Sequence, residues 1–531
     1  MKSLYPLARE LNRKLYFFVG PTNSGKTYKA MEELKQADTG TYLAPLRLLA
    51  LENYESLKAD NIKASLITGE EEIFDEEAGH ICSTIEMINY NLEVDVCVID
   101  EVQMLADEDR GWAWVNAILG SPASKVIMTG SVNALDIVKK IASYLGEELE
   151  VVKFKRKNPI EVLPKHTNLK DIEKATALIA FSRNDVLKLK AKLSKFHTVS
   201  VLYGNLSPEV RREEAKRFRE GKSDILIATD AIAMGLNLPI KTLLFTTDTK
   251  FDGISKRKLI SNEVIQIAGR AGRYGHHEIG HIGATSRSVL EHIDHTFHSP
   301  MHTIKAPVCV KATQSQVEEL STFLNTKSLT KILMYFTKHM RYDGPFKAVN
   351  VKTMIELANI LDEKTHMTLE DKYMLASAPI NTRSPLIKNG YIKYVNAVLN
   401  HKVIKYVATT KTFGIAKTQM ELLQAEDEVK KISLYLWLSY KMPNLFPDKE
   451  KAEKLRYEIN NFCENSLKSN KLLKPNHQRK RTFRKDGDRK KDNRNPNSQK
   501  RGRNQNRTKD SEEPNKRSKD SGRRGSRRRS R

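Results

Sequence analysis

Short apolar runs alternate with polar, helix-like segments over the first 300 residues of the chain. The runs at 15–20, 41–46, 94–100 and 125–130 are nearly unbroken, as expected for central parallel strands that are covered on both faces. The same alternation begins again with runs at 176–181, 197–204, 223–230 and 240–247. Two successive series of this kind predict an α/β protein with two parallel-sheet lobes in tandem.

Beyond residue 305 the strand pattern fades, and apolar residues recur with the spacing of a helix. This spacing is found at 315–325, 328–340, 351–364 and 369–378. We therefore predict four parts, which are a first lobe at 1–155, a second lobe at 156–305, a mostly helical C-terminal domain at 306–473 and a tail at 474–531.

The charge of the chain is concentrated in the predicted tail. The chain has 531 residues and a formal net charge of +25. From Lys474 onward it has 24 Lys and Arg residues, 7 acidic residues and one hydrophobic residue, Phe483. Because such a segment has almost nothing to bury, we predict that it is disordered and binds phosphate groups in a salt-sensitive way. A nuclear-localisation-like patch or a solubilising extension is the alternative.

Composition argues against several classes of protein. The sequence contains no run of 18 apolar residues, so we predict no membrane span. The four cysteines are widely spaced, which argues against a disulfide scaffold and against a zinc ribbon. A strand-like run begins at Leu15 and leaves no room for a cleavable leader, so we expect a cytoplasmic protein.

The strongest local pattern is GPTNSGKT at 20–27, which lies between a predicted strand and a predicted helix. This is the pattern of a phosphate-binding loop, in which backbone amides and a helix N-terminus face a polyphosphate. Lys26 is predicted to neutralise the β- and γ-phosphates, and the Thr27 hydroxyl to ligate Mg²⁺. The whole loop is assigned to the nucleotide, and it comprises Gly20, Pro21, Thr22, Asn23, Ser24, Gly25, Lys26 and Thr27. A chance glycine turn is the alternative.

Two acidic residues follow the apolar strand at 94–99. Asp100 is predicted to hold the Mg²⁺ through water, and Glu101 to orient or deprotonate the attacking water. An Asp-Glu pair after a strand is a weak signal by itself, but it becomes strong when a phosphate-binding loop precedes it.

The second lobe carries QIAGRAGRYG at 266–275. We predict that Gln266, Arg270 and Arg273 act on the nucleotide, with the arginines reaching across a cleft between the lobes to the γ-phosphate. The segment at 227–239 lies just upstream and is predicted to couple the nucleotide to a bound polymer. A buried strand followed by a loop is the alternative for that segment.

Seven segments together resemble the motifs of the Suv-three family of superfamily 2 RNA helicases. They lie at 20–27, 44–50, 83–87, 100–104, 202–218, 228–238 and 266–273. A weaker similarity continues at 369–380, whereas 128–135 departs from the family pattern. The resemblance implies two RecA-like lobes with ATP and Mg²⁺ between them. It also implies 3′-to-5′ unwinding of RNA, a role in RNA processing or decay, and an exoribonuclease as a candidate partner.

The resemblance assigns further residues to ligands. It places Pro45, Arg47, Thr84, Glu86 and Thr229 on the nucleic-acid backbone, and Gly235 on the nucleotide. Arg47 is the strongest of these predictions, since a cation beside a tight turn suits a phosphate. An exposed arginine at a helix start is the alternative.

The sequence also bears on nucleotide choice. In DEAD-box relatives, adenine is selected by an aromatic residue and a glutamine well upstream of the phosphate-binding loop. Only 19 residues precede Gly20, and none of them is a glutamine. We therefore predict that other NTPs are tolerated beside ATP.

Two features leave their alternatives open. Seven histidines could form a metal site or lie on a surface near nucleic acid, and they are His276, His277, His281, His292, His295, His298 and His302. The basic segment at 248–259 could be a hairpin that touches nucleic acid or a solvated loop.

Two other functions are also kept open. The first is unwinding of DNA or of RNA–DNA hybrids, because the motifs do not show how a 2′-hydroxyl is sensed. The second is an RNA-binding or annealing protein that acts mainly through its basic tail and has a weak NTPase.

Overall fold

A computed structural model of the chain describes residues 1–69, 71–233, 238–252, 255–272, 278–349, 352–380, 382–410 and 412–469. Its first part, residues 14–153, is built on an eight-stranded sheet with the strand order β4-β3-β5-β2-β6-β7-β1-β8. These strands are β1 (Lys14–Val19), β2 (Gly40–Ala44), β3 (Ala64–Ile67), β4 (Glu72–Ile73), β5 (His80–Thr84), β6 (Val94–Ile99), β7 (Ala123–Gly130) and β8 (Leu149–Lys153). All neighbours pair in parallel except β3 and β4.

Helices cover both faces of this sheet, which explains why its strands are apolar on both sides. They are α1 (Pro6–Glu10), α2 (Lys26–Lys35), α3 (Arg47–Ala59), α4 (Gly111–Gly120) and α5 (Leu135–Leu145). On β1, Phe17 belongs to the core that includes α4 and α5, whereas Phe18 belongs to the core that includes α2 and α3. Because successive side chains of a strand point to opposite faces, both residues are buried.

The second sheet has six parallel strands in the order β11-β12-β10-β13-β16-β9. They are β9 (Ile160–Val162), β10 (Thr176–Ile179), β11 (Val199–Leu202), β12 (Ile225–Ala228), β13 (Thr242–Phe245) and β16 (Gly280–Ala284). The helices of this lobe are α6 (Arg183–Leu193), α7 (Pro208–Arg219), α8 (Ser261–Ala268) and α9 (Arg287–His298). The segment at 248–259 contains the antiparallel strands β14 (Thr249–Phe251) and β15 (Lys256–Lys258), so its ends pair as a hairpin.

The region after 305 is mostly helical, as predicted. Its helices are α10 (Gln314–Phe323), α11 (Leu329–His339), α12 (Lys352–Asp362), α13 (Leu369–Ala376), α14 (Pro385–Leu399), α15 (Gln419–Lys441) and α16 (Lys449–Lys468). None of the described helices is both long enough and apolar enough to cross a membrane. The predicted fold class, with two parallel-sheet lobes followed by helices, is confirmed.

The helical region packs against both lobes. Two short parallel strands, β17 (Val308–Val310) and β18 (Phe346–Ala348), contribute to the core of the first lobe. The helices α15 and α16 instead share a core with the second lobe. The predicted limits at 155, 305 and 473 stay predictions, and the shared cores show that the parts on either side of 305 are packed together.

Candidate nucleotide and nucleic-acid sites

The loop between β1 and α2 has the backbone shape of an anion cradle. Asn23 has a φ of 62° and Gly25 a φ of 85°, and this left-handed conformation suits glycine at position 25. A Cβ atom on Gly20 would lie 2.5 Å from the carbonyl oxygen of Phe154, so only glycine fits there. The loop leads directly into the N-terminus of α2, where backbone amides that have no partner within the helix favour a phosphate group.

Lys26 lies at the first position of α2, and its Nζ donates a hydrogen bond to the carbonyl of Pro21 at 2.8 Å. Burial lowers the pKa of Lys26, while the nearby carboxylates of Glu101 and Asp100 act to raise it. The Ser24 hydroxyl is also buried and has no hydrogen-bond partner among the described residues. A cation and an unsatisfied hydroxyl in one tight loop are suited to phosphate oxygens.

Asp100 follows β6 and is surrounded by hydroxyl groups. It accepts hydrogen bonds from Thr27 at 3.1 Å, from Tyr42 at 2.9 Å and from Thr129. The Thr27 hydroxyl and the Asp100 carboxylate thus lie side by side as two hard oxygen donors, the kind of ligand that Mg²⁺ prefers. These residues fit the ion that the sequence implies.

Glu101 has the geometry and environment of a proton acceptor. Its φ of 54° is a strained conformation for a non-glycine residue. Burial, followed by the neighbouring Asp100, raises the pKa of Glu101 above its ordinary value. The Gln103 amide donates to Glu101 and therefore orients the carboxylate. A carboxylate with a raised pKa is better suited to take a proton near neutral pH.

Arg270 reaches Glu101 from the second lobe. Its Nη2 lies 3.8 Å from Glu101 Oε1 and donates to the carbonyl of Ala233, and the residue is only 8% exposed. Burial lowers the pKa of Arg270, and the two acidic residues oppose this effect. Gln266 lines a cavity of about 110 Å³ together with Lys26 and Glu101.

The structure thus brings Lys26, Asp100, Glu101, Gln266 and Arg270 together. Two other predicted residues, Arg273 and Gly235, lie outside the described residues.

Sequence reasoning missed Arg156, which lies in the segment between β8 and β9. Its guanidinium donates to the carbonyls of Thr22 at 2.8 Å, Gly269 at 2.9 Å and Ala271. One side chain therefore links the phosphate-binding loop to the arginine motif. Burial and the charge of Arg270 lower the pKa of Arg156 to about 10.

The two motifs also touch directly. The Asn23 amide donates to the carbonyl of Gly272 at 3.2 Å. A Cβ atom on Gly269 would lie 2.6 Å from the Cβ of Thr22, so this glycine permits the close approach of the lobes.

The segment at 128–135 supplies contacts to the acidic pair. Thr129 donates to Asp100, and the backbone amide of Ser131 donates to Gln103 Oε1 at 3.1 Å. Since Gln103 in turn contacts Glu101, this segment is connected to both acidic residues through hydrogen bonds.

Three predicted nucleic-acid residues lie at the carboxyl edge of the first sheet. Pro45 follows strand β2. Thr84 is the last residue of the neighbouring strand β5 and pairs with Ala44 of β2. Arg110 donates to Glu86 and to the carbonyl of Pro45, both at 2.8 Å. Glu86 is therefore engaged in an ion pair that holds the Pro45 turn.

The other two predicted nucleic-acid residues are Arg47, two residues after Pro45, and Thr229, in the second lobe. Arg47 begins α3 and lines a cleft that it shares with the second lobe. Thr229 follows β12, is buried, and donates its backbone amide to Leu202 at 2.9 Å. Their contacts with nucleic acid stay predictions.

Two of these histidines make ordinary hydrogen bonds through their rings. His292 is hydrogen-bonded to the carbonyl of Leu259 at 3.1 Å, and His298 contacts Asp294. Among the described residues, no three His, Cys, Asp or Glu side chains are grouped so that they could hold a metal ion. His276 and His277 lie outside the described residues.

Family models match four parts of the chain. Residues 2–154 match the DEXQ-box helicase domain of Suv3, and residues 148–275 match the helicase conserved C-terminal domain. Residues 356–389 match Suv3 C-terminal domain 1, and residues 422–469 match the C-terminal domain of the ATP-dependent RNA helicase SUV3.

Similarity to a helicase that the match covers over most of its length shows the family of this chain. The DExH-box ATP-dependent RNA helicase DExH16, mitochondrial, of Arabidopsis thaliana is 33% identical over 483 residues, which cover 89% of this chain and 84% of that protein. The chain belongs to the Suv3 helicase family. The predicted family membership is thereby confirmed.

Other members of the Suv3 family are longer than this chain. The ATP-dependent RNA helicase SUV3, mitochondrial, of Saccharomyces cerevisiae is 33% identical over 483 residues, which cover 87% of this chain but 65% of the yeast protein. The chain thus spans somewhat less than two thirds of that protein. Among solved structures, S. cerevisiae Dbp5 bound to RNA and ADP BeF3 is similar with a TM-score of 0.42 and 18% identity, covering 62% of this chain and 92% of that one.

One prediction is corrected by these names. The Suv3 relatives from yeast, plants and chicken are all named as mitochondrial. The expected cytoplasmic location is therefore wrong, and the names point to mitochondria. The sequence argument depended on where the given sequence begins relative to the strand at Leu15, and that position does not decide the compartment.

Proposed function

We propose that this chain is an RNA helicase that hydrolyses ATP, tolerates other NTPs, and displaces one strand of an RNA duplex. The observation that carries the proposal is the position of Arg270 opposite Glu101 across the two lobes, at 3.8 Å. Lys26 belongs to the same group of side chains, since it and Glu101 line one cavity. Membership of the Suv3 family supports the same reading.

Binding of the nucleotide falls to the loop at 20–27. Lys26 and the amides at the start of α2 contact the phosphates, and Ser24 offers its unsatisfied hydroxyl. Thr27, through its hydroxyl, and Asp100, through water, would hold Mg²⁺. A bound Mg²⁺ neutralises negative charge on the phosphate oxygens.

Hydrolysis uses the acidic and basic residues that face each other across the lobes. Glu101, with its raised pKa, orients the attacking water and accepts its proton, and Gln103 keeps the carboxylate in position. Arg270 places its charge where negative charge develops on the transferred group, a contribution of about 10³ to 10⁵ in rate. Gln266 completes the wall of the cavity.

Coupling to RNA follows from the same interlobe geometry. Because Arg270 and Glu101 belong to different lobes, any ligand that changes the spacing of the lobes also changes the alignment of the hydrolytic residues. Pro45, Arg47, Thr84, Glu86 and Thr229 are the residues through which the RNA backbone would act. The 3′-to-5′ direction, a role in mitochondrial RNA processing or decay, and an exoribonuclease partner are supported by the family resemblance.

The test measures hydrolysis and strand displacement with the full chain. Matched RNA, DNA and hybrid duplexes with 3′ or 5′ overhangs are mixed with each of the four NTPs. We expect displacement of RNA from a 3′ overhang, driven by several NTPs and stimulated by single-stranded RNA. Displacement that needs no NTP, or hydrolysis that RNA does not stimulate, would contradict the proposal. Faster displacement of DNA or hybrid duplexes would favour the alternative substrate.

A further inference from the structure

The segment that connects α14 to α15 runs as an extended chain over the surface of the helical region. Residues 402–409 of this segment form neither a helix nor a strand. The residues Ile404 and Tyr406 pack against the core, and Tyr406 is only 1% exposed. Three residues that alternate with them are exposed, namely Val403, Lys405 and Val407. Burial thus changes from one residue to the next, which is the period of an extended backbone.

On its inner edge, the segment is hydrogen-bonded to α15, to α16 and to the residues between these helices. The backbone amides and carbonyls of Ile404 and Tyr406 all have partners within 3.1 Å. These partners are the Leu445 carbonyl, the Tyr435 hydroxyl, the Asp448 carboxylate and the Lys451 ammonium group. Because both backbone groups of a residue in an extended chain point to the same edge, Ile404 and Tyr406 define the inner edge of the segment.

The opposite edge of the segment is open. In the part of the chain that the structure describes, the backbone amides and carbonyls of Val403, Lys405 and Val407 make no hydrogen bond. Since neighbouring residues of an extended chain direct these groups to opposite edges, the three residues present one row of donors and acceptors. A row of this kind is the feature on which a further strand pairs.

A buried carboxylate fixes the end of the segment. Glu428 of α15 is fully buried, and it accepts hydrogen bonds from the Tyr406 hydroxyl at 2.6 Å and from the Thr410 hydroxyl at 3.0 Å. It also pairs with Lys431 at 2.7 Å. The segment is therefore held in its extended form before any partner binds, which reduces the entropy that binding would cost.

The exposed face of the segment is basic and apolar. Residues 401–418 include four lysines and no acidic residue. Val403 and Val407 are 52% and 63% exposed, and they lie two residues to either side of Lys405. On an added strand, the residues directly opposite these three would contact them. An acidic residue between two β-branched apolar residues, with one residue in each interval, is therefore the complementary pattern.

Two other occupants fit this edge less well. In a second copy of the chain, paired antiparallel about Lys405, the two lysines would lie directly opposite each other, and like charges in that arrangement are destabilising. Sites for single-stranded RNA combine positive charge with aromatic rings on which bases stack, whereas the side chains on either side of Lys405 are valines. RNA also lacks the alternating amides and carbonyls that pair with the edge of a strand.

We propose that residues 403–407 bind an extended acidic segment of a partner protein as an added antiparallel strand, with an Asp or Glu of that segment opposite Lys405. The inference goes beyond the proposed function, since neither NTP nor RNA takes part in it. Family models match residues 356–389 and 422–469, so neither of these two models describes this edge.

The test measures the binding of labelled peptides to the full chain by fluorescence anisotropy at physiological salt concentration. The probe has the sequence ETVTDTVTE, in which the aspartate takes the place opposite Lys405 and the valines take the places opposite Val403 and Val407. Two further peptides carry one backbone N-methyl group, either on the central aspartate or on the threonine that follows it. All three peptides have the same charge, so the basic tail contributes equally to their binding.

We expect the probe to bind saturably, with a dissociation constant below about 1 mM. It should also slow the hydrogen exchange of the backbone amides at 403–407. Methylation of the central aspartate removes the N–H that the Lys405 carbonyl would accept, so binding should weaken about tenfold or more. Methylation of the threonine changes an N–H that points away from the protein and should leave the affinity within about twofold of the probe.

A charge reversal tests the register of the pairing. The variant K405E should bind the probe about fivefold or more weakly, and it should prefer a peptide in which lysine replaces the central aspartate. The matched control is K402E, which makes the same change of charge on the same segment. Lys402 donates its amide to the carbonyl of Ala397 and so lies outside the open row. K402E should therefore keep the preference for the aspartate peptide.

The inference is overturned if the probe shows no saturable binding below about 1 mM, or if both methylated peptides bind as tightly as the probe. It is also overturned if K405E weakens the binding of single-stranded RNA and RNA displaces the probe, which would assign the edge to RNA. Dimerisation of the wild type that the probe inhibits and the centrally methylated peptide does not would assign the edge to a second copy. If thermal unfolding shows that K405E is unstable, the methylated peptides decide, since they need no change in the protein.

Discussion

The Arg270 guanidinium and the Glu101 carboxylate lie 3.8 Å apart although 168 residues separate them and they belong to different lobes. Burial raises the pKa of Glu101 and lowers the pKa of Arg270, so it favours the neutral form of both. In each case the charge of the partner is the largest effect in the opposite direction. Because one residue of this charge pair lies in each lobe, its geometry depends on the spacing of the lobes. The hydrolytic chemistry therefore depends on that spacing as well.

Replacing Glu101 by Gln should abolish hydrolysis while leaving NTP binding intact. The substitution keeps the shape of the side chain but removes the proton acceptor, so we expect the turnover number to fall by about 10² to 10⁴. Steady-state hydrolysis and binding of a fluorescent nucleotide measure the two effects. E108Q, an exposed change nearby, should behave as wild type. Normal hydrolysis by E101Q would remove Glu101 from the mechanism.

Replacing Lys26 by Ala should weaken both NTP binding and hydrolysis. The variant loses the cation that sits inside the loop and donates to Pro21. Since hydrogen bonds to charged groups contribute about 1.5–3 kcal/mol, we expect at least tenfold weaker binding. K29A is the matched control, because Lys29 lies on the same helix and pairs with Glu33 at the surface. Equal nucleotide affinities of K26A and K29A would contradict the assignment.

The acidic limb of the pH profile should report Glu101. A carboxyl must lose its proton to act as a base, so kcat/KM should fall as the pH drops through the raised pKa of Glu101, above its ordinary value of 4.5. The Gln103 hydrogen bond lowers that pKa. The variant Q103A should therefore move the acidic limb to higher pH. A limb that stays in place or moves to lower pH would argue that Glu101 is not the titrating group.

Replacing Arg156 by Gln should loosen the contact between the lobes. The change removes hydrogen bonds to Thr22, Gly269 and Ala271, which no other side chain of the described structure supplies together. We expect a higher KM for NTP and a larger radius of gyration by small-angle scattering. K155Q removes an exposed charge from the same segment and should change neither quantity. Identical scattering of R156Q and K155Q would show that Arg156 does not hold the lobes together.

The sequence allowed Lys26, Asp100 and Glu101 to be placed because each belongs to a short motif whose spacing is fixed by a strand and a turn. Arg270 could be assigned from its glycine-rich context. Arg156 could not, since its partners are backbone carbonyls, which leave no pattern of side chains in the sequence. For the same reason, a basic segment such as 153–157 looks like an ordinary exposed linker.

The tertiary arrangement was predictable only in part. The periodicity of the strands and helices gave the two lobes and the helical region. The strands β17 and β18 are three residues each, too short for a periodic signal, and they pack on a lobe that precedes them by about 150 residues or more in the chain. Such long-range packing depends on the complementarity of whole surfaces, which a local pattern does not show.

Removing residues 474–531 should separate a motor from a protein that binds RNA mainly through its tail. The deleted segment carries 24 Lys and Arg residues, so RNA affinity and its dependence on salt should both decrease. The residues of the nucleotide site and the predicted nucleic-acid residues of the two lobes all lie before residue 474. At saturating RNA we therefore expect the maximal rate of RNA-stimulated hydrolysis to remain within about twofold of wild type. Only the RNA concentration that gives half of the stimulation should rise. Loss of nearly all RNA binding together with the stimulation would show instead that the tail is the principal RNA-binding element and that the lobes contribute little.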